Sequence, residues 1–362
     1  MNKGQLMMFE KPGVPMQQVA IQLPVPGPGE ILVRNKFATI CGSDLHTYCG
    51  TRKEQLPTVL GHEIVGEIAA FGADCLLKDQ KGTDLCVGDR VTWSIFSSDP
   101  GSYYALQGMP QKGEGLFKYG HALFTESDAF HGGFGEYCLL KQGTAVLKIP
   151  DTLPLSVAAT LNCAIATVAG GIRLAGNLDG KNVLIFGMGL LGLTCAAMCR
   201  DAGAAGITAV DLSQERLKEA TGFGADQMLL MNENTESQLN ETRNKWPRKG
   251  YDIVFDMSGS PDALELGMEV LAIGGIAIWI GTVFRARKIA IDAEKVVRGL
   301  ITIKGLHNYN YEDFIYALDF MTRSWKNYGF QNVVEKTFLL SEVNEAFEYA
   351  LREKPLRVGV EL

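Results

Sequence analysis

Between residues 165 and 304 the sequence alternates short apolar runs with amphipathic segments, and this alternation constrains the fold most. KNVLIFG, GITAVD and YDIVFDMSG are typical of strands, while LLGLTCAAMCRDAGA and SQERLKEATGFGAD, the latter capped by Ser213, have the pattern of helices. Strands that alternate with helices form a parallel sheet covered on both faces. We therefore predict an α/β fold with a doubly wound parallel sheet in this region.

The regions on either side of residues 165–304 have different sequence patterns. Residues 1–164 contain strand-like runs such as EILVRNKFATI and GDRVTWSIF, cut by Gly and Pro, which predict a mostly antiparallel β domain. Residues 305–362 contain two amphipathic helices, the second capped by Ser341, and a final strand, LRVGVEL. We expect this tail to return to the first domain, which gives the segments 1–164, 165–304 and 305–362.

Composition excludes several classes of protein. At 362 residues the chain is too long for one core, and its net charge of −7 argues against a nucleic-acid or anionic-membrane partner. We see no apolar run that could span a bilayer and expect no signal peptide, because the first residues carry Lys and Glu. None of the eight cysteines forms a C-x-x-C pair, so we predict free thiols and a cytoplasmic location.

The run VLIFGMGLLG places Gly187, Gly189 and Gly192 in G-x-G-x-x-G order between a predicted strand and a predicted helix. In that context the first glycine permits a tight turn, the second admits a pyrophosphate, and the third lets helix and strand pack closely. Asp211 ends the next strand, where a carboxylate accepts bonds from ribose hydroxyls and repels a 2′-phosphate. We predict a dinucleotide site that prefers NAD over NADP. Arg216, in the following helix, joins the cofactor-binding candidates.

Cys41, in CGSDLH, and His62, in GHE, are candidate metal ligands that only the fold could bring together. A catalytic zinc takes three protein ligands and keeps one open position. The residues leave the third ligand open between Glu63 and a distant thiolate.

Several motifs occur together in one order: CGSDLH, GHE, VGDRV, GGFGEY, NCAIAT and GMGLLG. With these motifs the chain resembles the medium-chain zinc-dependent alcohol and polyol dehydrogenases over essentially its whole length. TWSIFSS, MPQK and FKYGH resemble bacterial members associated with phosphonate or cyclitol metabolism. The resemblance implies a GroES-like catalytic β domain beside a Rossmann domain.

The resemblance also assigns metal ligands and supporting residues. It implies that catalytic zinc binds Cys41, His62 and Cys163, and that Glu63 sits behind the metal and takes a coordination site when water leaves. Asp44 would orient the zinc-binding histidine.

Further roles concern the proton and the cofactor. The resemblance implies that Ser43 takes the alcohol proton and passes it, through the cofactor ribose, to His46. Thr167 would press on the nicotinamide, and Arg357 would contact the pyrophosphate.

The stretch SSDPGSYYALQGMPQKGE, residues 97–114, departs from the family pattern. Many members carry a structural zinc on four cysteines here, and Asp99, Ser102, Ala105 and Gly113 stand in those positions. These residues lack the thiolates or imidazoles of a closed zinc site, so we predict one catalytic zinc and no structural one. We expect the lobe to be held by packing, within the chain or against another subunit, of four apolar or aromatic side chains, those of Tyr103, Tyr104, Leu106 and Met109.

We therefore predict a zinc-dependent oxidoreductase that transfers hydride between a small-molecule alcohol and NAD. The resemblance implies a homodimer or homotetramer, formed by strand pairing near IAIWIGTV. Arg285, Arg287 and Lys288 form a basic cluster that could attract an anionic alcohol, although a solvated charge run is the favoured explanation. The alternatives are a zinc-free quinone or enoyl reductase of the same superfamily and a non-catalytic NAD-binding regulator.

Overall fold

The computed structural model describes residues 2–362, which divide into two units. Unit 1 contains the chain up to Ala166 together with Asn310–Lys326 and Phe330–Leu362, and unit 2 contains Thr167–Tyr309 and Asn327–Gly329. The sequence analysis placed the corresponding boundaries after residues 164 and 304. The C-terminal tail thus belongs mostly to unit 1.

Unit 1 is built mainly from antiparallel strands, with short helices between them. In chain order its first elements are β1 Lys3–Phe9, β2 Gln17–Gln22, β3 Ile31–Ile40, α1 Gly42–Tyr48, β4 Thr58–Val59, β5 Glu63–Phe71, β6 Arg90–Ser97, α2 Tyr103–Leu106, β7 Phe117–Lys118, β8 Tyr137–Leu140, β9 Thr144–Lys148 and α3 Leu155–Ala158. A π-helical turn, Leu161–Ile165, follows and leads into α4 Ala166–Ala175.

Unit 2 alternates strands and helices, as the apolar pattern predicts. Its elements after α4 are β10 Asn182–Phe186, α5 Leu190–Asp201, β11 Gly206–Asp211, α6 Gln214–Ala220, β12 Gln227–Leu230, α7 Thr235–Arg243, β13 Tyr251–Asp256, α8 Pro261–Val270, β14 Leu271–Trp279, α9 Ala293–Arg298 and β15 Thr302–Gly305. The strands lie in the order β12-β11-β10-β13-β14-β15, and every neighbouring pair is parallel. This is the predicted doubly wound sheet.

The chain then completes unit 1 with α10 Tyr311–Ser324, β16 Val334–Leu339, α11 Val343–Glu353 and β17 Arg357–Glu361. The larger sheet of unit 1 has the order β16-β17-β3-β5-β6-β7, with β8 beside β3 and β9 beside β6. The last strand, β17, pairs antiparallel with β3. One apolar core of unit 1 joins Phe9 of β1, Ile40 of β3, Phe347 of α11 and Val358 of β17, so residues distant in sequence stabilise it together.

One local expectation is wrong, and a second stays a prediction. Ser341 lies in a 3₁₀ turn and does not cap α11, whose N-cap residue is Glu342. Strand β14, which contains IAIW, pairs with β13 on one side and β15 on the other, and the two edge strands of this sheet are β12 and β15. Strand pairing between copies near IAIWIGTV therefore needs an edge strand and stays a prediction.

The lobe at residues 97–114 is also held differently from the expectation. Tyr103 is 66% exposed and Leu106 is 71% exposed, so these side chains do not pack within this chain, and their packing against another subunit stays a prediction. Hydrogen bonds close the lobe instead: the Ser102 hydroxyl donates to the Asp99 carbonyl at 2.7 Å, and the Asp99 carboxylate accepts from Gly101 N at 2.8 Å. Gly113 lies so close to Ser102 that an added Cβ would be 2.9 Å from its hydroxyl oxygen.

One helical segment, Leu155–Ala175, is long and apolar enough to cross a membrane, although the sequence analysis expected no such run. However, 78% of its most apolar window is buried inside the protein, as in the core helix of a globular domain. Burial against protein accounts for its apolar composition without a bilayer.

Candidate functional site

Two thiols and one imidazole converge in unit 1. The ligand atoms of Cys41, His62 and Cys163 all lie within 4.8 Å of one another. Cys41 immediately precedes α1, His62 immediately precedes β5, and Cys163 lies in the π-helical turn. Sulfur and imidazole nitrogen are ligands that zinc prefers, and three such ligands leave a fourth position open. The structure thus groups Cys163 with the other two and leaves Glu63 outside the group.

Asp44 holds two members of this cluster in place. Its Oδ2 accepts a hydrogen bond from Cys41 N at 2.9 Å, and its Oδ1 lies 3.2 Å from His62 Nδ1 and accepts from Gly61 N at 3.2 Å. Burial lowers the pKa of His62, but the charges and hydrogen bonds of Asp44 and Cys41 together outweigh burial, and the pKa is raised well above its ordinary value. A carboxylate at Nδ1 leaves Nε2 facing the other ligand atoms.

Asn162, which was not predicted, ties the turn that carries the third ligand to the backbone of His62. Its side-chain nitrogen donates to the carbonyls of His62 and Trp93, both at 2.9 Å, and the residue is fully buried. These bonds fix the π-helical turn that carries Cys163 against β5 and β6. Single turns of π-helix occur often at functional sites because they redirect one side chain. The available signal in the sequence was that Asn162 directly precedes the candidate ligand Cys163.

The two thiols lie close enough to shift each other's pKa in opposite directions. The hydrogen bond from Cys163, together with the positive charge of Arg357 and contact with His62, lowers the pKa of Cys41 despite burial. The same hydrogen bond raises the pKa of Cys163. One sulfur is therefore readily ionised, as a metal ligand must be.

Behind Cys41 lies a buried ion pair. Arg357 Nε donates to Glu63 Oε2 at 2.6 Å and its Nη2 donates to Oε1 at 2.7 Å, while Thr39 Oγ1 donates to Glu63 Oε2 at 2.5 Å. The same Nη2 lies 3.6 Å from Cys41 Sγ. The structure thus places Glu63 behind the cluster and commits Arg357, predicted to contact the cofactor pyrophosphate, to Glu63 and to the sulfur. A pyrophosphate contact of Arg357 stays a prediction.

Each of the two residues of the predicted proton relay makes one side-chain contact. Ser43 Oγ lies 3.3 Å from His62 Nε2, at the edge of the cluster. His46 is exposed, and its Nδ1 lies 3.0 Å from Thr51 Oγ1. Partial burial, and then the nearby charge of Arg52, lower the pKa of His46. A neutral imidazole at neutral pH is the form that can accept a proton. Transfer from Ser43 to His46 stays a prediction.

In unit 2 the three predicted glycines occupy the positions that a phosphate-binding turn requires. Gly187 has φ of +87°, and Gly192 lies so close to it that an added Cβ would be 1.8 Å from the Gly187 carbonyl oxygen. Gly189 is the N-cap of α5, and an added Cβ there would meet nothing within 4 Å. The turn follows β10, which lies between β11 and β13 at the centre of the sheet, where the strand order reverses. Dinucleotides bind at this point of a doubly wound sheet.

Asp211 ends β11 beside the same turn. Its Oδ2 accepts from Met188 N at 2.5 Å and its Oδ1 accepts from Ser213 N at 2.8 Å. Ser213 caps α6, as predicted, through a 3.3 Å bond from Arg216 N. Thr167 is half-buried near the start of α4. The cofactor contacts of these residues stay predictions.

A second acidic residue near the turn was missed. Asp256 ends β13, and its Oδ1 accepts from the Ser258 hydroxyl at 2.7 Å and from Gly259 N at 3.0 Å. The loop it orders approaches Gly187, where an added Cβ would lie 2.8 Å from Ser258 N. The acidic end of a buried strand, YDIVFD, was the available signal.

Comparison with known proteins identifies the same two parts. Residues 27–151 match the family described as the alcohol dehydrogenase GroES-like domain, and residues 191–323 match the zinc-binding dehydrogenase family. An L-threonine 3-dehydrogenase of Streptomyces coelicolor is 31% identical over 300 residues, covering 82% of this chain and 81% of that protein. One of Pyrococcus horikoshii is 28% identical over 349 residues, covering 94% and 93%.

Solved structures agree with this. An alcohol dehydrogenase of Thermotoga maritima superposes with a TM-score of 0.93 at 25% identity and covers 100% of both chains. A benzyl alcohol dehydrogenase of Acinetobacter calcoaceticus, with a TM-score of 0.86, 22% identity and 100% coverage of both chains, shares the fold. With the Cys/His/Cys cluster in unit 1 and the glycine turn in unit 2, these matches confirm the resemblance, the fold class and an oxidoreductase that uses zinc and a nicotinamide cofactor. The chain belongs to the medium-chain zinc-dependent alcohol dehydrogenase family.

Proposed function

We propose that this chain catalyses the reversible, NAD-dependent oxidation of a small-molecule alcohol to a carbonyl compound at a single zinc ion held by Cys41, His62 and Cys163. The observation that carries the proposal is the convergence of these three ligand atoms within 4.8 Å from three separate segments of the chain. The related threonine and alcohol dehydrogenases support an alcohol as the substrate.

The residues present fit a catalytic zinc. Two sulfurs and one imidazole are the ligand set known for zinc alcohol dehydrogenases, and two thiolates balance the charge of Zn²⁺. When bound, zinc would make the alcohol hydroxyl more acidic, and the nicotinamide would accept the hydride.

The chain's own residues orient the ligands and move the proton. Asp44 holds the backbone of Cys41 and the ring of His62, and Asn162 holds the turn that carries Cys163. Ser43, which lies against His62 Nε2, would accept the alcohol proton, and exposed His46 would release it to solvent.

We infer a preference for NAD from Asp211, because a carboxylate at the end of the second strand repels the 2′-phosphate of NADP. The Asp211→Ala substitution should reduce the ratio of kcat/KM with NAD to that with NADP by at least about tenfold, one bidentate charged contact being worth at least about 1.4 kcal/mol. Because Asp211 also accepts from Met188 N, thermal melting must show that the variant is folded. An unchanged ratio in a folded variant contradicts the assignment.

Zinc content and turnover test the proposal directly. We expect one zinc per chain, loss of NAD-dependent alcohol oxidation on treatment with o-phenanthroline, and recovery when zinc is restored. Cys163→Ser should bind zinc weakly and lose activity at least about 100-fold, since outer partners of a ligand alone are worth 10- to 100-fold. The matched control is Cys86→Ser, an exposed cysteine, which should behave as the wild type.

Other outcomes support the alternatives. Turnover that survives complete zinc removal favours a zinc-free reductase. Tight binding of NADH with no oxidation of any alcohol favours a regulator. Either result refutes the proposed function.

We also propose a cytoplasmic homodimer or homotetramer. All eight cysteines are free, which suits a reducing compartment, and β15 is an edge strand that could pair with a second copy. Light scattering after size-exclusion chromatography would give the mass; a monomer at micromolar concentration contradicts the assembly.

A further inference from the structure

We propose that the alcohol substrate carries an anionic group, a carboxylate or a phosphate, and that Lys118 binds this group with help from Arg52. The inference rests on the proposed function, because it names the substrate class of the same site. It comes from a cluster of charged side chains that packs beside His62.

The cluster is joined to the metal ligands through His121. The ring of His121 lies 5.1 Å, centroid to centroid, from the ring of His62. His121 is also joined to Lys118, because its backbone N donates to the Lys118 carbonyl at 3.3 Å. Lys118 lies on β7 and pairs with Phe96 of β6. The lysine is therefore one short turn from a side chain that touches a candidate metal ligand.

Most of the charge in this cluster is already balanced. Arg52 Nε lies 2.5 Å from Glu54 Oε1, and His121 Nδ1 lies 3.4 Å from the same oxygen. The side chains of Arg52, Glu54 and His121 are 26%, 15% and 8% exposed, so this contact is largely shielded from water. Glu54 has a single carboxylate, which pairs with Arg52 and forms no ion pair with Lys118.

Lys118 is that second cation. It is half-buried, and its ammonium has no ion pair or hydrogen bond to any residue from 2 to 362. Burial lowers the pKa of Lys118, as do the charges of Arg52 and Lys112, with Glu54 opposing them. A partly desolvated charge without a counter-ion is unfavourable, and an anion that binds beside it recovers the lost interaction.

The other half-buried lysines show that this is not the usual arrangement in this protein. Each has an anionic or carbonyl partner within 3.9 Å: Lys36, Lys141, Lys148, Lys181, Lys295 and Lys304. Lys118 alone among them, within the described residues, has none. The exception lies on the segment that carries His121, whose ring packs against that of the candidate metal ligand His62, and a substrate there would bring the missing charge.

The basic cluster suggested by the sequence is a weaker candidate. Arg287 is bound by both Glu265 and Asp262 in unit 2, so its charge is compensated. Glu265, held by Arg287, has its pKa lowered to about 2 and stays ionised. Lys118 is therefore a stronger candidate for the anion site than this loop.

Matched pairs of alcohols test the inference. The first pair is 3-hydroxybutyrate and 1,3-butanediol; the second is 2-hydroxypropyl phosphate and 1,2-propanediol. The wild type should have at least tenfold higher kcat/KM for the anionic member of one pair, and the preferred pair distinguishes carboxylate from phosphate. Lys118→Met should lower this anionic-to-neutral ratio at least tenfold, mainly through KM, and Lys118→Arg should retain most of it. Added NaCl should weaken only the anionic member.

Lys11→Met, at an exposed lysine, is the control and should keep the wild-type ratio. Should Lys118→Met fail to fold, Lys118→Gln takes its place. A wild-type ratio near one, or a ratio that Lys118→Met leaves unchanged, overturns the inference while alcohol turnover upholds the proposed function. Absence of turnover with every neutral and anionic alcohol instead overturns the proposed function, and this inference with it.

Discussion

At the scale of single residues, the buried pair Glu63–Arg357 is the most consequential contact that sequence reasoning did not foresee. Glu63 is fully buried, and Arg357 is 6% exposed. The two residues are 294 positions apart in the sequence. They come together because β3 pairs with both β17, which carries Arg357, and β5, which carries Glu63. Removing one partner of such a pair leaves an unpaired charge in the interior.

We therefore expect Arg357→Met to lower the free energy of unfolding by about 3–5 kcal/mol. The double variant Glu63→Gln with Arg357→Met should recover part of that loss, because it removes the orphaned charge. Arg298→Met, at an exposed pair with Glu294, should change stability by less than about 0.5 kcal/mol. Urea unfolding measures all three. Equal effects of Arg357→Met and Arg298→Met would show that the buried pair is not stabilising.

His131 gives a pH dependence of stability. Burial lowers its pKa to about 4, with Asp128 opposing, and the ring packs edge-on against Phe117. The unfolded chain takes up a proton near pH 6.5 while the folded protein does not, so the contribution is complete above pH 6.5 and is lost as pH falls toward 4. The loss amounts to about 3 kcal/mol, at about 1.4 kcal/mol per pH unit.

His131→Phe should flatten the fall in unfolding free energy between pH 6.5 and pH 4, because phenylalanine binds no proton in either state. Urea unfolding at several pH values measures this. A variant that loses stability over that interval as steeply as the wild type would refute the role of His131.

At the scale of elements, we expect two glycines of the turn between β10 and α5 to have different roles. Gly192 permits close packing, and Gly189 leaves space for the cofactor. Gly192→Ala places a Cβ 1.8 Å from the Gly187 carbonyl, so we expect a loss of about 3 kcal/mol in unfolding free energy. Gly189→Ala meets nothing within 4 Å and should leave stability nearly unchanged, yet it should weaken NADH binding at least about tenfold by occupying the phosphate position. Denaturant unfolding and NADH fluorescence measure the two effects. Stability loss in both variants alike would contradict this division.

At the scale of the whole molecule, the two candidate sites fall in different units. The Cys/His/Cys cluster lies in unit 1, and the glycine turn lies in unit 2. Each unit has its own apolar core: Phe9 and Phe347 belong to one, and Phe186 and Tyr251 belong to the other. A ligand stabilises the region that holds it, by about 2.7 kcal/mol at 100 times its Kd.

Hydrogen exchange followed by mass spectrometry should therefore separate the two ligands. Chelation of zinc should speed exchange in α1, the start of β5 and the π-helical turn, while NADH should slow exchange at residues 187–193. Chelation that speeds exchange equally in both units would contradict the placement of the metal in unit 1.

The sequence determined much of this protein locally. Residues 165–304 carry strand and helix periods in strict alternation, and the glycine spacing depends only on neighbouring residues, so both were predictable. Cys41, His62 and Cys163 could be named only through the family resemblance, because three distant segments carry them.

Tertiary structure alone decided the rest. Asn162 acts through bonds to His62, just before β5, and to Trp93 on β6, Arg357 acts through a partner on β5, and Lys118 is distinguished by having no ion-pair partner among residues 2–362. The lobe at residues 97–114 also could not be predicted from local sequence. Hydrogen bonds around Ser102 close it, whereas apolar packing was expected. Local periodicity fixes which elements form, whereas burial and pairing of charges depend on which elements meet, and that is settled only when the chain has folded.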